Sequence, residues 1–143
     1  MSSSKSKVRT LTEKQILAAA ASKYMNEKQL EFFKHRLIAL HKSTNERIQE
    51  SKDQLAHPPE FNDDNDRASW EEQNSISLRI LDREQKLLPK IQQSLERIRT
   101  GEYGYCLESG DPIGIPRLLV RPTAEYCADV KALQETKELF YRD

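Results

Sequence analysis

Two cysteines stand at the spacing of a zinc ribbon whose other two ligand positions hold different residues. Cys106 is followed three positions later by Ser109, and Cys127 is followed three positions later by Val130. Four cysteines at these positions would match the C-x₂-C pairs, about 15–20 residues apart, that are typical of structural zinc. Two thiolates fill half of a four-coordinate site, so the sequence argues against zinc and leaves these four as vestigial ligand positions.

The two thiols allow other interpretations. In the first, Cys106 and Cys127 are buried small hydrophobic residues, and apolar packing holds their segment together. In the second, they form a reversible disulfide, which requires Cα atoms about 4.4–6.8 Å apart. Two cysteines in 143 residues fit a reducing compartment, where structural disulfides are rare, so reduced thiols are expected.

A second group that could do chemistry is a cluster of carboxylates around residue 65. One cation, Arg67, stands among six acidic residues: Glu60, Asp63, Asp64, Asp66, Glu71 and Glu72. Carboxylates brought near a bound Mg²⁺ would change the electrostatics of its site. The alternative is a solvated acidic cap at the start of a helix, which stabilises that helix by about 0.3–1 kcal/mol.

The elements that position this cluster are two long amphipathic helices. Asn26 is a suitable N-cap for the first helix, and Thr100-Gly101 ends the second. The apolar stripes have near-heptad spacing, at Leu30, Phe33, Leu37, Leu40, Thr44, Ile48 and Leu55, and at Leu81, Leu88, Ile91, Leu95 and Ile98. Pro58-Pro59 interrupts them, which predicts a mainly α protein with an antiparallel coiled-coil hairpin over 25–100 and an acidic tip at 56–68. Pro89 predicts a kink.

The remaining segments are predicted to be short. Residues 1–24 read as a flexible basic tail and a short helix, opened by a capping box of Thr10 and Glu13. Residues 101–143 form a ribbon module, a degenerate zinc ribbon with a C-terminal helix. In it, "IPRLLV" at 115–120 reads as a β-like run and Pro122-Thr123 starts the final helix.

Composition excludes several classes of protein. Lys and Arg together number 23, as do Asp and Glu, so the net charge gives no sign of nucleic acid or of an anionic membrane. No apolar run reaches the ~18 residues of a membrane span, and a cytoplasmic protein is expected. No phosphate loop, metalloprotease motif or paired nucleophile and base is present, so we expect no enzyme. Trp70 is interpreted as a packing residue.

Three stretches together resemble the DksA/TraR family of bacterial transcription factors. They are "DDNDRA" at the hairpin tip, "ERIRTGEYGYC" at the end of the second helix, and "PIGIPRLLVRPTAEYC" in the ribbon module. The resemblance covers roughly Met25 to Glu135. With two of four cysteines missing, the chain is similar to the cysteine-depleted paralogues of that family, which are thought to work without bound metal. The family's tip motif, Asp-x-x-Asp-x-Ala, falls on Asp63, Asp66 and Ala68.

The resemblance also implies partners. Family members insert the coiled-coil tip into the secondary channel of RNA polymerase and act with guanosine tetraphosphate (ppGpp). The positions that help to bind ppGpp correspond to Leu87, Lys90, Arg121 and Lys131. Clustered cations suit a polyphosphate. Against this, exposed Lys and Arg on helices are usually solubilising.

The resemblance thus implies a monomeric regulator that modulates initiation, for example at ribosomal RNA promoters in the stringent response. It would need no cofactor and would bind neither sequence-specific DNA nor membrane. Two other interpretations stay open: a coiled-coil scaffold or adaptor protein, and a thiol-based redox regulator using Cys106 and Cys127.

Overall fold

The computed structural model describes residues 11–56 and 60–141, and in this part of the chain the regular structure is helical. The helices are α1 (Glu13–Ala18), α2 (Glu27–Ala56), α3 (Asp64–Thr100), α4 (Ile115–Val120) and α5 (Ala128–Tyr141), with a 3₁₀ turn at Ala21–Lys23. A single β-bridge joins Tyr105 to Pro112. None of these helices combines the length and the apolar character that a membrane crossing requires.

The signals that were expected to bound the two long helices are confirmed. Asn26 caps α2, since its side-chain oxygen accepts a hydrogen bond from the Gln29 N–H at 2.9 Å. Helix α3 ends at Thr100. The next residue, Gly101, has a φ of 82°, the left-handed conformation that glycine adopts at low cost after a helix. Both predicted helices are present, and the Arg47–Glu84 ion pair joins α2 to α3, as expected of the predicted antiparallel coiled-coil hairpin.

The chain divides into two compact units. One contains residues 38–93, with the greater part of α2 and α3, and the other contains residues up to Leu37 together with Ser94 and those after it. In the 38–93 unit, Arg47 of α2 forms an ion pair with Glu84 of α3 at 3.0 Å. Pro89 lies inside α3, which continues as a helix on both sides of it, and the expected kink stays a prediction.

The second unit has an aromatic core. Phe33 and Tyr103 are fully buried with ring centroids 5.6 Å apart, and Phe32 packs edge-on against Phe33. Helix α1 packs against α4, where Ile16 and Leu118 are both buried.

Three predictions for the terminal segments need correction. The "IPRLLV" stretch is the helix α4: Gly114 precedes it, and Pro116 sits in its first turn, where a helix needs no N–H from proline. The final helix starts at Ala128, because Arg121 to Ala124 form a turn in which the Ala124 N–H bonds to the Arg121 carbonyl. The capping box at α1 uses Thr12 and Gln15, while Thr10 lies outside the described residues.

Candidate functional site

The start of α3 is fixed by Asp63. Its carboxylate accepts a hydrogen bond from the Asp66 N–H at 2.8 Å, and its carbonyl accepts one from the Arg67 N–H at 3.3 Å. These bonds satisfy backbone donors that a helix leaves free in its first turn. Asp63 is therefore the N-cap of α3.

The other side chains of the acidic tip point into solvent. Asp64, Asp66 and Ala68 are exposed, as is Asp63 itself. Within the described residues none of these three carboxylates has an ion-pair partner. A concentrated negative charge at a helix start is favourable for the helix dipole, and it leaves the carboxylate oxygens available to another molecule.

Asp66 and Ala68 lie on different sides of α3. At 3.6 residues per turn, positions two apart are separated by about 200° around the helix axis. A flat partner surface that covers Asp66 would therefore leave Ala68 uncovered. A partner that surrounds the start of the helix can touch both residues.

Two aromatic side chains next to the acidic tip form a cluster that sequence reasoning missed. The rings of Phe61 and Trp70 have centroids 5.4 Å apart and planes inclined by 56°, and the Arg67 guanidinium lies 5.8 Å from the centre of the Phe61 ring. These distances fall within the ranges of aromatic pairing and of cation–π contact. We call Phe61, Arg67 and Trp70 the aromatic clasp. The spacing of Arg67 and Trp70, three apart on a helix, was a signal that could have indicated a shared face.

The four positions expected to bind ppGpp fall in different units. Leu87, half-buried, and Lys90, exposed, belong to the 38–93 unit. Arg121 and Lys131 belong to the other, where Arg121 is exposed directly after α4 and Lys131 is half-buried in the first turn of α5. None of the three cations forms an ion pair with another described residue.

The four vestigial ligand positions are partly brought together. Both cysteines are free thiols. Ser109 reaches each of them: its backbone N–H lies 3.5 Å from the Cys106 sulfur, and its hydroxyl oxygen lies 3.8 Å from the Cys127 sulfur. Val130 is half-buried in α5. The serine at the second ligand position thus joins the two remaining thiols by hydrogen bonds.

The environment of Cys106 changes its acidity. Burial of the thiol raises its pKa, but hydrogen bonds from the Ser109 hydroxyl and from the N–H groups of Ser109, Cys127 and Glu108 outweigh that effect and lower the pKa to about 6. Donors directed at a sulfur favour its charged form. The segment therefore directs several hydrogen-bond donors at one sulfur.

The donor set does not fit a structural zinc ion. Such a site needs four ligands, almost always from Cys, His, Asp or Glu. Among the described residues no three side chains of these types come together as a metal site would require. The ligand positions of the ribbon module offer two thiols, a serine and a valine.

Two tyrosines that sequence reasoning missed hold the ribbon module in place. The Tyr24 hydroxyl donates a hydrogen bond to the Gly104 carbonyl at 2.6 Å and accepts one from the Gly114 N–H at 2.9 Å. The Tyr103 hydroxyl donates to the Pro122 carbonyl at 2.7 Å. Burial raises the pKa of both phenols, so they stay protonated donors. Each tyrosine hydroxyl thus holds a turn of the module by hydrogen bonding.

Arg97 also fastens this segment to the end of α3. Its Nη2 donates to the Tyr105 carbonyl at 2.6 Å, and its own carbonyl accepts from the N–H groups of Glu102 and Tyr103. The turn after α3 is therefore hydrogen-bonded to the helix from which it departs.

Comparisons with known proteins agree with this arrangement. Residues 29–98 match the family model of the DnaK suppressor protein DksA, N-terminal domain, and residues 101–135 match that of the prokaryotic dksA/traR C4-type zinc finger. The chain is similar to the RNA polymerase-binding transcription factor DksA of Caulobacter vibrioides, with 40% identity over 84% of this chain and 85% of the relative. The factor of the same name from Escherichia coli K12 is 41% identical over 80% of this chain and 77% of its own length.

A solved structure extends the similarity to three dimensions. The transcription factor DksA2 from Pseudomonas aeruginosa superposes with a TM-score of 0.74 at 42% identity, covering 89% of this chain and 98% of that one. The two family matches together cover the hairpin and the ribbon module. The chain belongs to the DksA/TraR family.

Proposed function

We propose that this protein binds RNA polymerase through the secondary channel and modulates transcription initiation together with ppGpp. The observation that carries the proposal is the start of α3, where capped and exposed carboxylates stand at the turn of a coiled-coil hairpin. Relatives at about 40% identity are named RNA polymerase-binding transcription factors. The site of action is the bacterial cytoplasm.

Delivery into a channel suits the geometry of the tip. Asp66 and Ala68 lie about 200° apart around α3, so a surrounding wall can contact both while a flat surface contacts one. Carboxylates placed near the catalytic Mg²⁺ of a polymerase, or near its ligands, would change the electrostatics there, since the ion is usually the largest local charge. In this proposal Asp66 and Ala68 act on the enzyme directly, and Asp63 supports them as the helix cap.

The effect on initiation is a shift between states of the promoter complex. A factor that binds one state more tightly than another raises the population of that state. The size of the change is set by the difference between the two binding free energies. It needs no sequence-specific contact with DNA, and a monomer suffices. Promoters with short-lived open complexes, such as those of ribosomal RNA, would respond by repression.

Multi-round transcription from a ribosomal RNA promoter tests the proposal. Wild type and Asp66→Asn are compared, each with and without ppGpp, in the presence of a metal chelator. Glu72→Gln is the matched control, because it removes one exposed carboxylate from the same helix outside the tip motif. We expect wild type and Glu72→Gln to inhibit and Asp66→Asn to bind polymerase without inhibiting.

Other outcomes would contradict this proposal. If none of the three proteins affects transcription, the similarity extends to the fold alone, and the scaffold or adaptor interpretation takes its place. Equal inhibition by all three would show that Asp66 is not the effector side chain.

The ppGpp effect is proposed to depend on Lys90, Arg121 and Lys131, and Leu87 is the fourth position that the family resemblance implies. Their support is chemical: the cations are unpaired within the described residues and suited to phosphate oxygens. Replacing each by Ala should abolish the additional inhibition by ppGpp and leave the ppGpp-independent part. Lys137→Ala, an exposed cation of α5, is the control. Unchanged ppGpp dependence in all three variants would remove this part of the proposal.

A further inference from the structure

The aromatic clasp lies where the hairpin has no core. Along residues 49–56 of α2, residues 60–63 before α3 and residues 64–90 of α3, none of the described side chains is buried; Ile48 and Ile91 are the nearest buried residues on either side. The half-buried positions nearest the tip are mixed: Ser51, Asn74 and Ser77 are polar, and Leu55 is the apolar one in this part of α2. With no fully buried side chain here, local contacts are a main source of order at the start of α3.

The clasp supplies such a contact. Phe61 precedes the N-cap residue Asp63 by two positions, and its ring packs on Trp70 while Arg67 covers it. Arg67 and Trp70 are three residues apart, so they lie on the same face of α3. One ring from the incoming chain thus spans the first two turns of the helix, in the manner of a hydrophobic staple.

The clasp and the cap together fix the segment that enters the helix. The Phe61 side chain is held by the clasp, and the Asp63 carboxylate is held by the Asp66 N–H. Only Asn62 lies between these two attachments. The path of the backbone into α3 is therefore constrained at both ends, and with it the direction in which the Asp66 side chain leaves the helix.

We propose that Phe61 and Trp70 are positioning residues for the acidic tip: the aromatic clasp pre-organises the first turn of α3 so that Asp66 meets the partner in one orientation. This inference rests on the proposed function, in which Asp66 acts on RNA polymerase. It assigns to Trp70 a role in activity without requiring that Trp70 touch the polymerase.

Two variants of Trp70 and one control test the inference. Trp70→Ala removes the clasp, Trp70→Phe keeps an aromatic ring, and Ile76→Ala removes an exposed apolar side chain from the same helix outside the clasp. Circular dichroism and the thermal transition verify that each variant folds. Each is then assayed for polymerase binding, for the extent of transcription inhibition at a saturating concentration of the protein, and for hydrogen exchange at the Asp66 amide.

The expected results separate positioning from simple stability. For Trp70→Ala we expect unchanged polymerase affinity, a shift in transcript yield at saturation about threefold to tenfold smaller than with wild type, and faster exchange at the Asp66 amide by a similar factor, as expected for the loss of one aromatic pair. In Trp70→Phe, both the inhibition and the exchange rate should return most of the way to their wild-type values. Ile76→Ala should behave as wild type. Wild-type inhibition and wild-type exchange in Trp70→Ala would overturn the inference.

The single tryptophan of the chain gives an independent readout. Phe61→Leu leaves Trp70 in place and removes its aromatic neighbour, so the emission of the free protein should shift to longer wavelength as water reaches the indole. An unchanged emission spectrum would contradict the packing of Phe61 on Trp70. Asp66→Asn distinguishes failure of the proposed tip function from failure of the positioning role. If Asp66→Asn inhibits like wild type, the proposed tip function is wrong. If Asp66→Asn loses inhibition but Trp70→Ala keeps it, only the positioning role is wrong.

Discussion

In the acidic tip, Asp63, Asp64 and Asp66 are exposed, whereas in the ribbon module Tyr103 and Cys106 are buried with their polar atoms hydrogen-bonded. The tip is ordered by one cap and one aromatic cluster, and its carboxylates keep their capacity to interact. The module's buried hydroxyls and thiol bond within the module, where they connect turns. The comparison shows two uses of polar groups: the carboxylates of the tip are left to solvent, whereas Tyr103 and Cys106 are bonded inside the fold.

The largest expected effect is on the module, at Gly104. This residue has a φ of 92°, and an added Cβ would lie 2.7 Å from the Met25 Cγ. Gly104→Ala therefore combines a left-handed backbone with overpacking and should destabilise the protein by about 2–4 kcal/mol, measured by urea unfolding. Gly110→Ala is the matched control, because Gly110 has a φ of 76° and nothing within 4 Å of its added Cβ. Equal costs for the two substitutions would show that the approach of Met25 does not matter.

A smaller and local effect is expected at the tip. Asp63→Ala removes the N-cap of α3 and should cost about 0.5–2 kcal/mol in the first turn of the helix, whereas Asp63→Asn retains the cap without its charge. Hydrogen exchange at the Asp66 amide measures the loss, while transcription assays report activity. We expect Asp63→Asn to keep most of the activity and Asp63→Ala to lose it. Activity lost equally in both would assign Asp63 a direct electrostatic role in place of a supporting one.

The module should also respond to pH through Cys106. Its pKa of about 6 in the folded protein lies below the value of about 8.5 for an unfolded thiol. Between these two values the unfolded chain binds more protons, so stability should rise with pH across this window and be lost as pH falls through the folded pKa. Urea midpoints at several pH values measure the slope. Cys106→Ala should flatten the curve, and a wild-type curve as flat as that of Cys106→Ala would contradict the assignment.

The smallest effect is expected from metal removal, which should not change the melting temperature. The module offers two thiols and no third ligand among the described residues, so a strong chelator should leave the thermal transition unchanged. The double substitution Ser109→Cys and Val130→Cys is the positive control, since it restores four thiol positions and should make the transition depend on zinc. Unfolding of the wild-type protein in chelator would show that a metal holds the module after all.

The sequence predicted those features that depend on local signals. The Asn26 cap, the Gly101 stop and the hairpin of α2 and α3 follow from side chains near each helix end and from repeated apolar spacing. The errors arose where such signals conflict: "IPRLLV" has the composition of a strand, but it has no neighbouring strand to pair with among the described residues. With a proline in its second position, the stretch forms a short helix.

The features that the sequence did not predict depend on distant residues. Tyr24 bonds to Gly104 and Gly114, 80 and 90 residues away, and no periodicity connects these positions. The aromatic clasp was missed for a different reason. Phe61 stands outside the helix that it packs against, so its partner cannot be inferred from helical spacing alone.

Pro89 interrupts the hydrogen-bond ladder of α3. Because proline has no N–H, the carbonyl of Gln85 lacks its usual partner four residues later. The boundary between the two compact units falls a few residues beyond, between Gln93 and Ser94. Helix opening spreads through consecutive hydrogen bonds, so a gap in the ladder is a natural limit for it. We therefore expect the part of α3 between Pro89 and the acidic tip to open before the ribbon module does.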